Sequence, residues 1–174
     1  MLFASSVLAA EDAKLSAALK QAQECGDATV KGDYEKLVDL THPAVVKLAG
    51  GKEKMIDLLK KSIGEMKDQG IIFESSKSSA ADSYIRSGTA LFCVIPTVVK
   101  LKVEKKSETK SEKKRLTLPS FLLGVSNDDG KTWKFLDGAQ GEPGLRKLVP
   151  EIPKDLKFPE KAKPVFESID ENDK

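Results

Sequence analysis

One octet late in the chain constrains the fold more than any other feature. Residues 126–133 read S-x-D-x-G-x-T-W, and an apolar segment stands on each side of them. The short side chains of Ser126 and Asp128 can bond to backbone groups of a turn, and Gly130 can adopt a positive φ without a steric penalty. The pattern predicts a β-hairpin. We expect four of its positions to be structural: Ser126, Asp128, Gly130 and Trp133.

Apolar residues before position 70 repeat at helical spacing. Three breaks interrupt the pattern: Gly32, His42 before a proline, and the Gly50–Gly51 pair. Glycine can end a helix, and a residue that precedes proline is pushed out of the helical region. The periodicity and these breaks predict helices over 12–31, over 33–41, from Pro43 to the glycine pair, and over 52–68.

The second half of the chain has the composition of β-strands. Residues 83–103 are rich in Val, Ile, Phe and Tyr. Residues 104–114 are almost wholly charged or Ser/Thr and should form the tip of a long hairpin. Pro96 cannot donate to a ladder, so it marks a bulge or a sheet edge. We therefore predict antiparallel strands over 71–138, curved around the 52–68 helix.

Helices followed by antiparallel strands define the α+β fold class. We expect a single cone-shaped domain over 12–149, in which the N-terminal helices pack in a curved antiparallel sheet. Residues 150–174 hold four of the eight prolines. This tail should therefore be extended and laid on the surface, with a frayed acidic end from Ser168.

The first eleven residues differ in composition from the rest of the chain. Residues 1–10 are mostly apolar or small, and Glu11 follows directly. Val7-x-Ala9 suits a signal-peptidase site, although the basic region that begins such signals is missing. We interpret 1–11 as the remaining part of a secretion signal or as a disordered tail. The first interpretation predicts a secreted or periplasmic bacterial protein, and the second leaves a cytoplasmic protein open.

Composition narrows the function. The chain has 174 residues and a formal net charge of +2, which gives no strong field for nucleic acid or anionic membrane. No apolar run approaches the roughly 20 residues of a membrane span. Cys25, Cys93 and one histidine cannot complete a zinc site, and no phosphate-binding glycine loop occurs. We expect no metal and no cofactor, and leave the pairing of the cysteines open.

Four short motifs resemble the nuclear transport factor 2-like superfamily, also called SnoaL-like or cystatin-like cone folds. They are Gly32-Asp33-Tyr34, Leu40-Thr41-His42-Pro43 with Val45-Val46, Gly50-Gly51-Lys52-Glu53-Lys54-Met55, and Gly130-Lys131-Thr132-Trp133-Lys134-Phe135. The resemblance covers roughly residues 12–149 and is to uncharacterised exported bacterial members. It implies a cone with an internal pocket, in which enzymes of this fold place Asp, His or Tyr. No catalytic motif of such an enzyme matches this chain.

The octet at 126–133 also resembles the Asp-box hairpin of sialidases. A sialidase propeller needs several four-stranded blades, and this chain has room for about one and a half. Arginine occurs only at 86, 115 and 146. The resemblance is therefore to the hairpin alone, which carries no catalytic group.

A cone fold encloses an apolar cavity with few polar groups. The resemblance therefore favours binding of a small apolar or amphipathic ligand without catalysis. We expect four residues to line the ligand site: Tyr34, His42, Phe92 and Trp133.

Two alternatives stay open. An enzyme of lyase, isomerase or hydrolase type would use His42 as a general base, with Asp39 three residues earlier and Tyr34 on the same helix. A lone histidine beside a proline can equally be held by backbone groups at a helix junction. The other alternative is an interaction module that forms a homodimer through its sheet face.

Overall fold

The computed structural model describes residues 3–106 and 111–169. The helices in these segments are α1 (Phe3–Lys31), α2 (Tyr34–Leu40), α3 (Pro43–Leu48), α4 (Lys52–Asp68) and α5 (Gly141–Leu148). The strands are β1 (Ile71–Ser78), β2 (Tyr84–Ser87), β3 (Ala90–Lys106), β4 (Ser111–Ser126), β5 (Lys134–Asp137) and β6 (Val165–Ser168). A short 3₁₀-helix, Gly138–Gln140, joins β5 to α5.

The predicted α+β class is confirmed, with helices first and antiparallel strands after them. The helix breaks fall at Gly32, at His42 and at Gly50–Gly51, and all three glycines have positive φ. The first helix begins at Phe3 and not at residue 12, because no helix breaker separates the small apolar residues from the predicted helix. None of the helices in the described residues is long and apolar enough to cross a membrane.

The strands form one open antiparallel sheet with β3 and β4 as its central pair. β1 and β2 lie end to end along the outer side of β3. β5 and β6 lie end to end along the outer side of β4. Lys106 pairs with Ser111 near the end of the long hairpin. The rest of its predicted charged tip, 107–110, lies outside the described residues.

Pro96 lies within the central strand β3, where a residue without an N–H is normally excluded. The register explains why it is tolerated: β1 ends opposite Thr97, and β2 begins opposite Cys93. Ser79, in the link between these strands, donates its N–H to the Pro96 carbonyl at 2.8 Å. This side of β3 is therefore a local edge, as the sequence predicted.

Alternate residues of the strands build two separate cores. On one face, Leu91, Cys93 and Ile95 of β3 pack against Ala18 and Ala22 of α1. We call this side of the sheet the α1 face. The opposite face is covered by α5 and the segment after it, and its core contains Phe92, Phe121, Leu123, Val125, Leu136, Leu145, Val149, Ile152 and Leu156.

The segment after α5 corrects one expectation, because its first part belongs to the core and is not simply laid on the surface. Ile152 is 4% exposed and Leu156 is 7% exposed. Arg146 donates to the carbonyls of Ile152 and Pro153, each at 3.1 Å. Proline prevents a helix here but does not prevent burial of the apolar side chains between prolines. Further on, β6 pairs with β4, and residues 170–174 lie outside the described part of the chain.

Small residues let α1 approach the sheet closely. Ala18 and Ala22 are fully buried, and a Cβ built at Gly26 would lie 2.6 Å from Oγ and 2.9 Å from Cβ of Ser76. We predicted that the sheet would curve around the 52–68 helix. Instead α1 supplies the buried residues, whereas α4 has none. Alanine and glycine permit the closer approach, which the long side chains of α4 would prevent.

Two glutamines bind α1 to the two opposite edges of the sheet. Gln23 donates to the Ser76 carbonyl and accepts from the Ser78 N–H, both at 2.9 Å. Gln21 binds at the other edge, where it accepts from the Trp133 N–H at 2.8 Å and donates to the Lys131 carbonyl at 3.0 Å. Each side-chain amide satisfies a pair of backbone groups that no neighbouring strand pairs.

We expect Gly26→Ala to lower the free energy of unfolding, although alanine is the better helix former by about 1 kcal/mol. The new Cβ would meet Ser76 at 2.6 and 2.9 Å, so α1 and β1 would have to separate. The matched control is Gly64→Ala on α4, where a new Cβ meets nothing within 4 Å. This substitution should stabilise the protein. Urea denaturation measures both variants. Equal stability of the two would contradict the close packing of α1.

Candidate functional site

A cavity of about 330 Å³ lies between the helices and the α1 face of the sheet. α4 forms one wall through Met55, Leu59 and Ile63, which lie four residues apart on one helical face. All three are only half-buried. The remaining apolar lining comes from the other helices and from the sheet: Cys25, Gly26, Leu37, Val45, Phe73, Val99, Phe121, Leu122 and Phe135.

The polar part of the lining is small: Thr29, Thr41, Ser76, Thr97, Ser120, Asp137 and Gln140. The hydroxyls of Thr29 and Thr41 donate to backbone carbonyls of their own helices, at 3.0 and 2.8 Å. Asp137 accepts from the Ala139 N–H at 2.8 Å. Asp137 and Gln140 are both exposed and lie at the mouth of the cavity. Among the described lining residues there is no lysine, arginine or histidine.

The two cysteines are free and buried in the core on the α1 face. Burial raises the pKa of Cys25, which lines the cavity, to about 12, and the charge of Asp137 adds to the effect. Burial also raises the pKa of Cys93 to about 12, partly opposed by a backbone hydrogen bond from Gly124. Both groups are therefore neutral thiols at physiological pH and not activated nucleophiles.

His42 is the N-cap of α3. Its Nδ1 accepts from the Ala44 N–H at 3.2 Å, and its own backbone N–H donates to the Phe135 carbonyl at 2.9 Å. Burial lowers the pKa of His42, and the charge of Glu151 partly opposes this. A proton on Nδ1 would break the cap, so the ring nitrogen that faces the helix does not serve as a base.

Asp39 and Tyr34, the other two catalytic candidates, make separate local contacts. The Asp39 carboxylate is 61% exposed and pairs with Lys52 at 2.6 Å, while Lys134 donates to the Asp39 backbone carbonyl. Tyr34 lies back over the preceding turn, where a Cβ at Gly32 would be 3.6 Å from its hydroxyl. In the described part of the chain no hydrogen bond joins the three candidates, so Asp39 does not orient the histidine.

None of the four expected ligand-lining residues is among the described residues that line the cavity. Phe92 lies on the opposite face of the sheet, 1% exposed in the second core. Trp133 is fully buried in the core on the α1 face. His42 stands next to the lining residue Thr41, and Tyr34 lies at the α1–α2 turn.

The sequence did hold a signal for the true lining. We expected aromatic and titratable residues in the lining, whereas the lining combines an apolar helical stripe with small hydroxyl residues on strands. Ser76, Thr97 and Ser120 are such residues, and each lies within a strand. Polar residues at inward-facing strand positions are the feature that could have located the cavity.

The octet forms the turn that was predicted for it. Asp128 accepts from the N–H and the hydroxyl of Thr132, at 2.8 and 2.7 Å. Ser126 donates to Asp128 and accepts from the Gly130 N–H, both at 2.9 Å. Gly130 has a φ of 86°. The indole N–H of Trp133 donates to the Gly130 carbonyl at 3.0 Å.

The hairpin also connects α1 to the strands. Asp129 accepts from Lys14 of α1 at 2.7 Å and from Arg86 of β2 at 2.5 Å. The Trp133 ring lies over Gly124 of β4, where a Cβ would be 3.2 Å from the ring. These contacts fix the start of β5, whose second residue, Phe135, lines the cavity.

Comparison of the chain with protein-family models, with curated proteins and with solved structures gives no match. Within residues 3–106 and 111–169, no group of three His, Cys, Asp or Glu side chains is placed to hold a metal ion. The function is therefore inferred from the shape and chemistry of the cavity.

We expect the turn to respond to acid through Asp128. Hydrogen bonds from Thr132 lower the pKa of Asp128 to about 2, whereas an unfolded chain has a value of about 4. The folded state binds this proton less tightly, so the carboxylate stabilises the fold above about pH 4 and loses that effect as the pH falls towards about 2.

Asp128→Asn should therefore lower stability at neutral pH, and the difference from the unaltered protein should shrink as the pH falls below about 4. Urea denaturation at a series of pH values measures this. Asp82→Asn, an exposed carboxylate outside the turn, is the control and should show little difference at any pH. A difference for Asp128→Asn that stays constant into acid would contradict the role of its charge.

Proposed function

We propose that this protein binds a small, largely apolar molecule in the cavity between α4 and the sheet, without catalysis. The observation that carries the proposal is the cavity itself, about 330 Å³ with an apolar lining and few polar groups. Ligand sites have volumes of roughly 300–1,000 Å³ and this same character. The cavity is therefore large enough for a small ligand.

The volume limits the size of that ligand. A water molecule occupies about 30 Å³ of the liquid, and a methylene group is of similar size, so the cavity holds about ten heavy atoms. A medium-length alkyl chain or a small ring system fits this limit. A large cofactor does not.

The state of α4 supports occupancy by an apolar molecule. Met55, Leu59 and Ile63 face the cavity but are only half-buried. The cavity opens to solvent at its mouth, so water enters it when no ligand is bound. An apolar ligand that displaces this water removes apolar surface of α4 and of the sheet from water, which is favourable.

The chemistry of the lining favours binding over catalysis. Cys25 is a neutral thiol, because the pKa is raised to about 12, and Asp137 caps the 3₁₀-helix at the mouth. His42 and Asp39 lie outside the lining. Helices on one face of an antiparallel sheet, with a pocket between them, are also compatible with the cone shape expected from the superfamily resemblance. That shape remains part of the proposal.

Naphthalene, a neutral fluorophore that meets this size limit, tests the proposal, because aqueous iodide quenches its emission in water but not after it enters an apolar site. We expect saturable binding to the intact protein. Val99→Phe places a larger side chain in the cavity lining and should weaken binding tenfold or more. The matched control is Val98→Phe, the neighbouring residue on the opposite face of β3, which is 37% exposed and should leave binding unchanged.

Equal effects of the two substitutions, or binding that is lost in neither, would contradict the location of the site. Circular dichroism of each variant shows whether the fold is kept. Export remains a prediction from residues 1–11, and N-terminal sequencing of protein from its host would test it.

A further inference from the structure

A row of three hydroxyl side chains crosses the sheet beside the cavity. Ser78 of β1 pairs with Thr97 of β3, and Thr97 pairs with Ser120 of β4. Residues directly opposite one another in an antiparallel pair share a face, so all three lie on the α1 face. Thr97 and Ser120 line the cavity directly. We call these three residues the hydroxyl row.

On β3 and β4, the hydroxyl row lies between pairs of apolar residues. The next pair of β3 and β4 on one side is Ile95 with Leu122, and on the other side it is Val99 with Leu118. On β3 and β4 the hydroxyl row is therefore flanked by apolar pairs, and on β1 the residue opposite Val99 is Ser76, which also lines the cavity. Register pairing places the residues of the hydroxyl row together even though they are far apart in sequence.

The hydroxyl row has hydrogen-bonding capacity that the protein does not use. Buried polar atoms normally have a partner, but Ser78 Oγ is buried and has none within the described residues. Thr97 is 6% exposed. In residues 3–106 and 111–169, the hydroxyls of Thr97 and Ser120 likewise make no hydrogen bond to another group of the protein. Ser78 is not among the described lining residues, but a molecule in the cavity can supply a partner to Thr97 and Ser120.

The charge of the lining limits what that partner is. Asp137 at the mouth is the one carboxylate among the described lining residues, and no cationic side chain accompanies it. A ligand carboxylate or phosphate would lose its hydration without gaining a counter-charge and would face Asp137. A neutral hydroxyl or carbonyl needs no counter-charge, and serine and threonine hydroxyls can both donate to it and accept from it.

We infer that the molecule bound in the cavity is neutral and carries a hydroxyl or carbonyl group, which the hydroxyl row holds through Thr97 and Ser120. The apolar part of the molecule lies along Met55, Leu59 and Ile63 of α4. The ligand class is therefore a medium-chain alcohol, aldehyde, ketone or ester. This inference rests on the proposed function, because it assigns the polar contacts of the same cavity.

Direct calorimetric titration of the intact protein with 1-octanol and with octanoate at neutral pH tests the inference. The two probes share an alkyl chain and differ in the charge of the polar group. We expect 1-octanol to bind at least tenfold more tightly. Octanoate binding as tightly as the alcohol, or more tightly, would overturn the assignment of a neutral ligand.

Thr97→Val removes the central hydroxyl and keeps the shape of the side chain. It should weaken 1-octanol binding about tenfold, as expected for one lost hydrogen bond, and leave binding of naphthalene, which has no polar group, within about twofold. The matched control is Thr117→Val, which pairs with Lys100 on the opposite face of the sheet and should change neither affinity. Ser120→Ala provides a second, smaller change in the hydroxyl row if Thr97→Val does not fold.

Each remaining outcome decides between explanations. Unchanged 1-octanol affinity in both Thr97→Val and Ser120→Ala overturns the inference. Tighter fluorophore binding in those variants, with no change for 1-octanol, shows that the hydroxyl row holds only water. If neither 1-octanol nor the fluorophore binds the unaltered protein, the proposed function fails and the inference fails with it. If Val99→Phe weakens binding of the fluorophore but 1-octanol does not bind, the proposed function stands and only the inference about the polar group is contradicted.

Discussion

The close docking of α1 across the sheet is the constraint on which the rest of the structure depends. Gln21 and Gln23 bind backbone groups at opposite edges of the sheet. Ala18 and Ala22 let the helix lie close to β3. α1 thereby covers β3 around residues 91–95. Further along β3 the helices do not pack directly on the strands, and the inner face of α4 is only half-buried. The cavity is the space that remains between a closely packed helix and a loosely packed one.

Features fixed by local backbone chemistry could be predicted from the sequence. The helix breaks follow from glycine and proline, and the turn at 126–133 follows from residues within one octet. Which strand residues meet at the cavity could not be predicted, because this depends on register between distant strands. Nothing local to Thr97 shows that Ser120 will lie opposite it. The burial of Ile152 similarly depends on a sheet face that the chain builds much earlier.

The residues that drew attention as catalytic candidates have structural explanations here. His42 caps a helix through the nitrogen that a base would need, and Asp39 forms an exposed ion pair that contributes little to stability. Titratable residues are the usual catalytic candidates, whereas the polar groups on the wall of this cavity are mainly uncharged hydroxyls. The described lining holds the Asp137 carboxylate and no cationic side chain, and this is the reason that we infer a neutral ligand.

The most direct measurement is a crystal structure of the protein with 8-bromo-1-octanol, recorded at the bromine absorption edge. The account predicts an anomalous peak inside the cavity near Leu59 of α4. The alcohol oxygen should lie about 3 Å from the hydroxyl of Thr97 or Ser120. A bromine peak confined to the outer surface, or an empty cavity at a saturating concentration, would contradict the claim that this cavity is a ligand site.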